Sequence, residues 1–259
     1  MAEIITSRKN RKIIDAHALA DKKTRDKTGL FAVEGIKLLN ELISENVKLC
    51  EVYYTKGAYS RFHESIDIAQ KLCPVFEVTD EVYEKLSFEK TPEGVFAVFE
   101  KASLPVSDKK SAVLILEGIQ DPGNMGTLLR CAVAFGIKCV IAVSCTDPYN
   151  PKTVRASMGA VFKMPCISFG NIDSAVEYAR ELCDLVVATA LHTDSVSIEE
   201  VDTSHAAIMI GSEGRGLSER AIELADKKVI IPIENIESLN ASVAGAICMY
   251  TAMMKRKNK

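Results

Sequence analysis

The sequence has no apolar run long enough to span a membrane. Its start, Met1-Ala2-Glu3-Ile4, lacks the basic-then-apolar form of a secretory signal, so the expected location is the cytoplasm. Excess positive charge is also missing: the formal net charge of -3 argues against a protein that coats nucleic acid by bulk electrostatics. The 8 cysteines form no C-x-x-C pair, and several stand in apolar segments, where a free thiol behaves as a small hydrophobe. His17, His63, His192 and His205 show no metal-ligand spacing, so no metal site is expected. Neither a G-x-x-x-x-G-K-[ST] phosphate loop nor a G-x-G-x-x-G dinucleotide turn is present; the glycine loop Gly211 to Gly216 is spaced G-x-x-G-x-G.

What the sequence does contain is 47% hydrophobic residues over a length of 259, enough for two cores. Residues 1–105 read as a small α/β domain. Periodicity predicts a helix with a basic side over 4–22, a strand over Leu30–Val33, and an amphipathic helix carrying Ile36, Leu38, Leu39, Leu42 and Ile43. Strands at 49–54, 75–78 and 94–99 alternate with helices at 59–72 and near Thr79-Asp80. Residues 101–110 are polar, bear Pro105 and have no periodicity, as a linker does.

Residues 111–259 read as a second α/β domain with a parallel sheet. The continuous apolar runs Ala112–Leu116, Cys139–Val143, Leu185–Ala190 and Ala207–Ile210 have the pattern of strands buried on both faces. A further run, Lys228–Ile233, precedes a polar loop and a long C-terminal helix that begins at Ser238 or Asn240; Asn124 falls at the entrance of an earlier one. Ligands gather beyond the carboxyl ends of parallel strands, so the loops at 117–124, 211–217 and 232–240 are expected to converge. Charge is uneven as well. Residues 1–30 hold eight basic against four acidic side chains, and four of the last five residues are basic, which suits a local contact with a phosphate backbone.

Four ordered motifs carry a resemblance. Asn124-Met125-Gly126-Thr127-Leu128-Leu129-Arg130, Arg155-Ala156-Ser157-Met158-Gly159-Ala160, Gly211-Ser212-Glu213-Gly214-Arg215-Gly216-Leu217, and Ile231-Pro232 with Glu237-Ser238-Leu239-Asn240-Ala241-Ser242-Val243-Ala244 resemble the motif series of the SpoU (TrmH-like) RNA ribose methyltransferases. Ser7-Arg8-Lys9-Asn10 and Phe31-Ala32-Val33-Glu34-Gly35 are similar to that family's substrate-binding domain. The resemblance implies a trefoil-knotted α/β methyltransferase domain of the SPOUT class behind a small α/β RNA-binding domain. It implies S-adenosyl-L-methionine as cofactor, a homodimer, and structured RNA as substrate, with 23S ribosomal RNA favoured over transfer RNA. A transfer-RNA enzyme and a non-catalytic dimeric RNA-binding relative remain as alternatives. Carried over by position, Asn124, Arg130, Glu213, Ser238 and Asn240 form the catalytic set. Gly211, Ile231 and Leu239, with Leu191 and Ser238, are expected to hold the cofactor, and Arg8, Lys9, Asn10, Arg11, Lys12 and Arg25 the RNA. One departure is the short, glycine-free stretch Ile233-Glu234-Asn235-Ile236 before Glu237. Methyl transfer from a sulfonium needs no metal, and a guanidinium, which holds its proton at neutral pH, suits the orientation of a hydroxyl better than its deprotonation.

Overall fold

Side-chain caps set nine of the ten α-helix starts among the described residues. In the computed structural model, which describes residues 4–101, 104–106 and 112–258, Asn10, Asp21, Thr55, Thr79, Asp121, Asn150, Asn171, Ser218 and Asn240 each accept a backbone N–H from the turn that follows. Such caps contribute about 1 kcal/mol apiece. Most of the expected linker, residues 102, 103 and 107–110, lies outside the described residues.

The early elements are β1 (Ile4–Ile5), α1 (Arg11–Ala18), α2 (Lys22–Thr28), β2 (Leu30–Glu34), α3 (Ile36–Ser44), β3 (Leu49–Thr55), α4 (Lys56–Gln70), β4 (Val75–Val78), α5 (Asp80–Leu86) and β5 (Val95–Glu100). There follow β6 (Val113–Glu117), α6 (Pro122–Ala134), β7 (Cys139–Val143), α7 (Pro151–Ser157), β8 (Cys166–Phe169), α8 (Ile172–Leu182), β9 (Leu185–Thr189), β10 (Val196–Ser197), β11 (Ala206–Ile210), α9 (Glu219–Glu223), β12 (Lys227–Ile230) and α10 (Ala241–Lys257). No described helix is long and apolar enough to cross a membrane. Contacts divide the chain into two units, Met1–Ser103 with Tyr149–Phe162, and Leu104–Pro148 with Lys163–Lys259.

The first unit is built on a five-stranded sheet in the order β1-β4-β3-β5-β2, parallel through β1, β4 and β3 and antiparallel at β5. On one face Ile13, Ala16 and Leu19 of the α1 region and Val82, Tyr83 and Leu86 of α5 cover Tyr53, Phe96 and Val98. The single helix expected over 4–22 is not what forms. Ile4 pairs with Glu77 as a strand, Asn10 N–H closes a turn on Ser7 O, and Asp21 starts a second helix. Glu34, read from sequence only as part of a motif, accepts from Tyr83 Oη, Ser87 Oγ and the Phe88 N–H, and so fastens α5 and the segment after it.

Residues 149–162, counted from sequence with the second domain, pack within this first unit. The Phe31 ring stacks on Phe99 and Phe162 at 5.8 and 4.8 Å, and Tyr149 tilts against it at 5.3 Å. Arg155 pairs with Glu89. Met158 and Gly159 both have positive φ, and a side chain on Gly159 would meet the Glu41 carboxylate at 2.8 Å. A motif that reads as part of one module is thus folded into the other.

Arg25 requires a correction. Expected at an RNA contact, it is 1% exposed, and its Nη1 donates to Leu19 O and Ala20 O at 2.7 Å each. Buried carbonyls left without a donor cost about 1–3 kcal/mol each. Arg25→Met is therefore expected to lower stability by about 3 kcal/mol in urea unfolding, while leaving RNA affinity close to wild type under folding conditions. A large loss of RNA affinity with unchanged stability would restore the original expectation.

The second unit is a seven-stranded sheet, every pairing parallel, in the order β10-β12-β9-β11-β6-β7-β8. Its central strands are wholly buried, as continuous apolar runs require. Val113, Ile115, Ile141, Val186 and Met209 point to the side covered by α8 and α9. On the other side α10 packs on α6 and β11 at close range: a Cβ on Gly245 would lie 2.4 Å from Leu128 Cδ2. Burial raises the thiols of Cys139, Cys183 and Cys248 to about 12, so these cysteines serve as small core hydrophobes.

The basic C-terminal run does not stand as a uniform solvated patch. Lys255 Nζ donates to the carbonyls of Ile198, Glu199 and Val201, and burial lowers its pKa. Arg256 donates to Ser204 O and Phe135 O, tying the far end of α10 to the far end of α6.

Candidate active site

Because the second sheet is parallel, all its strands end on one edge. Four of them, β12, β9, β11 and β6, lie side by side in that order, so the loops that follow them are neighbours. Ile231 and Leu239 follow β12, Leu191 follows β9, Gly211 and Glu213 follow β11, and Asn124 follows β6. Residues scattered over more than a hundred positions of sequence thus share one edge.

Each loop is held by its own bonds. After β6, Gly118 N–H reaches Val143 O, and Asp121 caps α6 by accepting the Asn124 N–H at 2.8 Å. Asn124 therefore sits within the first helical turn and not at its entrance; the cap is Asp121, followed by Pro122 at the first helical position. After β11, the chain folds back so tightly that a Cβ on Gly211 would lie 2.1 Å from the Gly216 carbonyl carbon. Gly216 N–H closes on Ser212 O at 2.9 Å, and Glu117 receives both Ser218 N–H and Ser218 Oγ–H at 2.8 Å. Sequence reading missed Glu117 and Asp121 as loop anchors, although Asp-Pro is a legible cap signal.

The loops are joined by side chains. Asn240 caps α10 through Oδ1, which accepts from Ser242 N–H, Ser242 Oγ–H and Val243 N–H. That leaves Asn240 Nδ2 to donate to Asn124 Oδ1 at 3.2 Å, and Asn124 Nδ2 to donate to a Glu213 carboxylate oxygen. The relay Asn240 to Asn124 to Glu213 brings together three of the five residues expected to be catalytic, one from each converging loop. Each amide has its orientation fixed by the partners it already holds.

Arg130 and Ser238 are not part of this relay. Arg130 lies on α6 six residues past Asn124, about 9 Å along the axis, exposed, and bonded to none of the described residues. Ser238 is exposed in the irregular segment before α10. Of the residues expected to hold a cofactor, Gly211 is buried, Ile231 and Leu239 are half-buried, and Leu191 is 80% exposed. Ile233 and Ile236 are exposed as well. Leu191 follows β9, and Ile233 and Ile236 follow β12, the strand paired with it. Cys145, at the base of the same edge, is bonded to Leu116 O and Val143 O, and burial raises its pKa, so it stays a thiol.

A cavity of about 640 Å³ lies elsewhere, beside Leu185 and Lys227 at the amino ends of β9 and β12. Its acidic lining, including Asp194, Glu200, Asp202, Glu223 and Asp226, contains none of the residues above.

The expected RNA contacts of the first unit are mostly engaged. Asn10 caps α1, Arg11 pairs with Asp15 at 2.9 Å, Lys12 pairs with Glu51 and lies 4.7 Å over the Phe76 ring, and Arg8 is 3.9 Å from Glu84. These pairs are exposed and weak, so a phosphate can displace the acids, whereas Arg25 is unavailable. Lys9 is exposed.

Comparison with known proteins finds two matching family models. Residues 111–250 match the SpoU rRNA Methylase family, and residues 10–97 match the MRM3-like substrate binding domain. The chain is 29% identical to the 23S rRNA (guanosine(2553)-2'-O)-methyltransferase RlmP of Bacillus subtilis, covering 95% of this chain and 97% of that protein. It is 35% identical, over 64% of its length and 68% of the relative's, to the 23S rRNA (guanosine-2'-O-)-methyltransferase RlmB of Coxiella burnetii. The crystal structure of an AdoMet-bound rRNA methyltransferase from Sinorhizobium meliloti superposes with a TM-score of 0.83 at 29% identity, covering 98% of both chains.

Proposed function

The chain belongs to the SpoU rRNA methylase family, and on that premise we propose that it transfers a methyl group from S-adenosyl-L-methionine to a ribose 2'-hydroxyl of structured RNA, with 23S ribosomal RNA the favoured substrate. The observation that carries the reading is the Asn240–Asn124–Glu213 relay, which draws three separate motifs to one edge of the sheet. The full-length likeness to the Bacillus subtilis ribosomal RNA enzyme supports ribosomal RNA as the substrate class.

The residues present fit the cofactor. Leu191, Ile233 and Ile236 are exposed apolar side chains that would cover an adenine ring, and the backbone at Gly211, Ile231 and Leu239, on the same edge, would hold the rest of the cofactor. When bound, S-adenosyl-L-methionine supplies an electrophilic methyl group. The chain's own part is to hold the 2'-oxygen in line with it and to stabilise the charge that develops as its proton leaves. Arg130, an exposed guanidinium on the helix that also carries Asn124, suits that role by hydrogen bonding to the developing alkoxide. The relay holds Glu213 in one place, a fixed carboxylate on the same edge of the sheet. Ser238, beside the Asn240 cap, is a polar partner for either substrate.

A homodimer and the trefoil knot belong to the same reading. Val243, Tyr250 and Met254 stand within one narrow stripe of α10, 47, 49 and 36% exposed, an apolar face that a second copy would cover. The test is incubation of the purified protein with tritium-labelled S-adenosyl-L-methionine and, in separate reactions, unmodified 23S ribosomal RNA and unmodified transfer RNA, followed by mapping of ribose methylation. Label at one nucleotide supports the reading; label only in transfer RNA moves the substrate class, and binding without incorporation means a non-catalytic relative.

A further inference from the structure

We propose that Arg215 holds a phosphate of the RNA backbone beside the target ribose, an inference that rests on the methyltransferase reading above. The turn that carries it is fixed at four points. Gly211 packs on the Gly216 backbone, Ser212 bridges Gly216, Glu213 is held by Asn124, and Ser218 is bonded twice to Glu117. Arg215 is the exception. It sits at the exposed tip between Gly214 and Gly216, and it makes no hydrogen bond or ion pair with the described residues. Two other exposed arginines of the same unit do pair, Arg180 with Asp226 at 2.8 Å and Arg220 with Asp173 at 2.6 Å, whereas Arg130, on the same edge as this turn, is unpaired among the described residues as well.

A guanidinium on a rigid turn has less freedom to lose on binding than one on a mobile arm. Its planar fork matches the two oxygens of a phosphodiester. Gly214 has open space where a side chain would stand, and Gly216 has a φ of +66°, so the tip is bare backbone and a bulky polymer can approach it. Charge selects the occupant. S-adenosyl-L-methionine carries no phosphate, whereas every nucleotide flanking a target ribose does. The competing occupant is the carboxylate of the methyl donor, and the two are separable by experiment.

The full chain, its Arg215→Ala variant and its Arg215→Lys variant are compared on an unmodified in vitro transcript of 23S ribosomal RNA. A lost charge-assisted contact corresponds to a KM for RNA raised about tenfold to a hundredfold in Arg215→Ala, with the loss in KM rather than kcat. The slope of log affinity against log salt falls in magnitude by about 0.7–0.9, one phosphate contact. Affinity for S-adenosyl-L-methionine by calorimetry stays within twofold. Arg215→Lys keeps most of the salt slope and part of the affinity, which a merely structural role would not predict. Unchanged RNA affinity and slope in Arg215→Ala overturns the assignment, and so does weakened binding of the methyl donor. If the wild type binds the transcript without methylating it, the enzyme reading fails while the salt slope still tests Arg215; a wild type that binds no RNA overturns both.

Discussion

Arg130→Ala is expected to lower methyl transfer by at least about a hundredfold to a thousandfold while leaving S-adenosyl-L-methionine affinity within about twofold. Removal of one preorganised donor aimed at a developing oxyanion costs on that scale. The variant is well suited to the question, because the Arg130 side chain is exposed and makes no hydrogen bond or ion pair with the described residues. Its backbone stays in α6, whose buried face is Met125, Leu128, Leu129 and Ala132. Single-turnover transfer with labelled donor measures the chemical step, and calorimetry measures the donor. Full activity in the variant would end the role given to the guanidinium. Loss of donor binding would instead move Arg130 into the cofactor site.

Gly211→Ala is the second large effect, and its cause is geometric. The added Cβ would fall 2.1 Å from the Gly216 carbonyl carbon, 2.3 Å from its oxygen and 2.3 Å from the Leu217 nitrogen. All three are backbone atoms, so no rotamer change relieves the overlap, and the turn has to open. Opening releases Glu213 from Asn124 and Ser218 from Glu117. Overpacking of this kind costs about 3 kcal/mol or more. The expected result is a melting temperature lower by roughly 6–12 °C and donor affinity reduced about a hundredfold. Gly214→Ala is the matched control: nothing lies within 4 Å of its Cβ position, and its stability should stay within about 0.5 kcal/mol of wild type. Equal behaviour of the two variants would show that the backbone contact has no consequence.

Much of the second unit is legible because its chemistry is local. Val113–Glu117, Cys139–Val143, Leu185–Thr189 and Ala206–Ile210 are apolar without interruption, as strands covered on both faces must be, and the convergence of their loops follows from parallel pairing. By contrast, β8 is half-exposed and β10 has two residues, so neither leaves such a run. The helix α8 does leave a signal, the Asn171 cap and the helical spacing of Ile172, Ala175, Val176 and Ala179. Arg25, Lys255 and Arg256 look like any other cations in sequence. Only the folded chain turns carbonyl groups onto them, those of the nearby α1–α2 corner for Arg25 and distant ones for Lys255 and Arg256, and so removes Arg25 from an RNA surface. The packing of Tyr149–Phe162 in the first unit is equally invisible, since the aromatic partners Phe31 and Phe99 are far away in the chain.

The strand order has a consequence for biogenesis. β6 is flanked by β7, which follows it closely, and by β11, whose Ala207 pairs with Val113. As the polypeptide leaves the ribosome, β6, β7 and β8 can associate early, while one side of the apolar strand Val113–Glu117 waits for a partner nearly a hundred residues downstream. Such an open edge is a template for pairing with another nascent molecule. Refolding from denaturant should accordingly be slow and yield less native protein as concentration rises, with aggregation reduced when a chaperone shields the chain until β11 arrives.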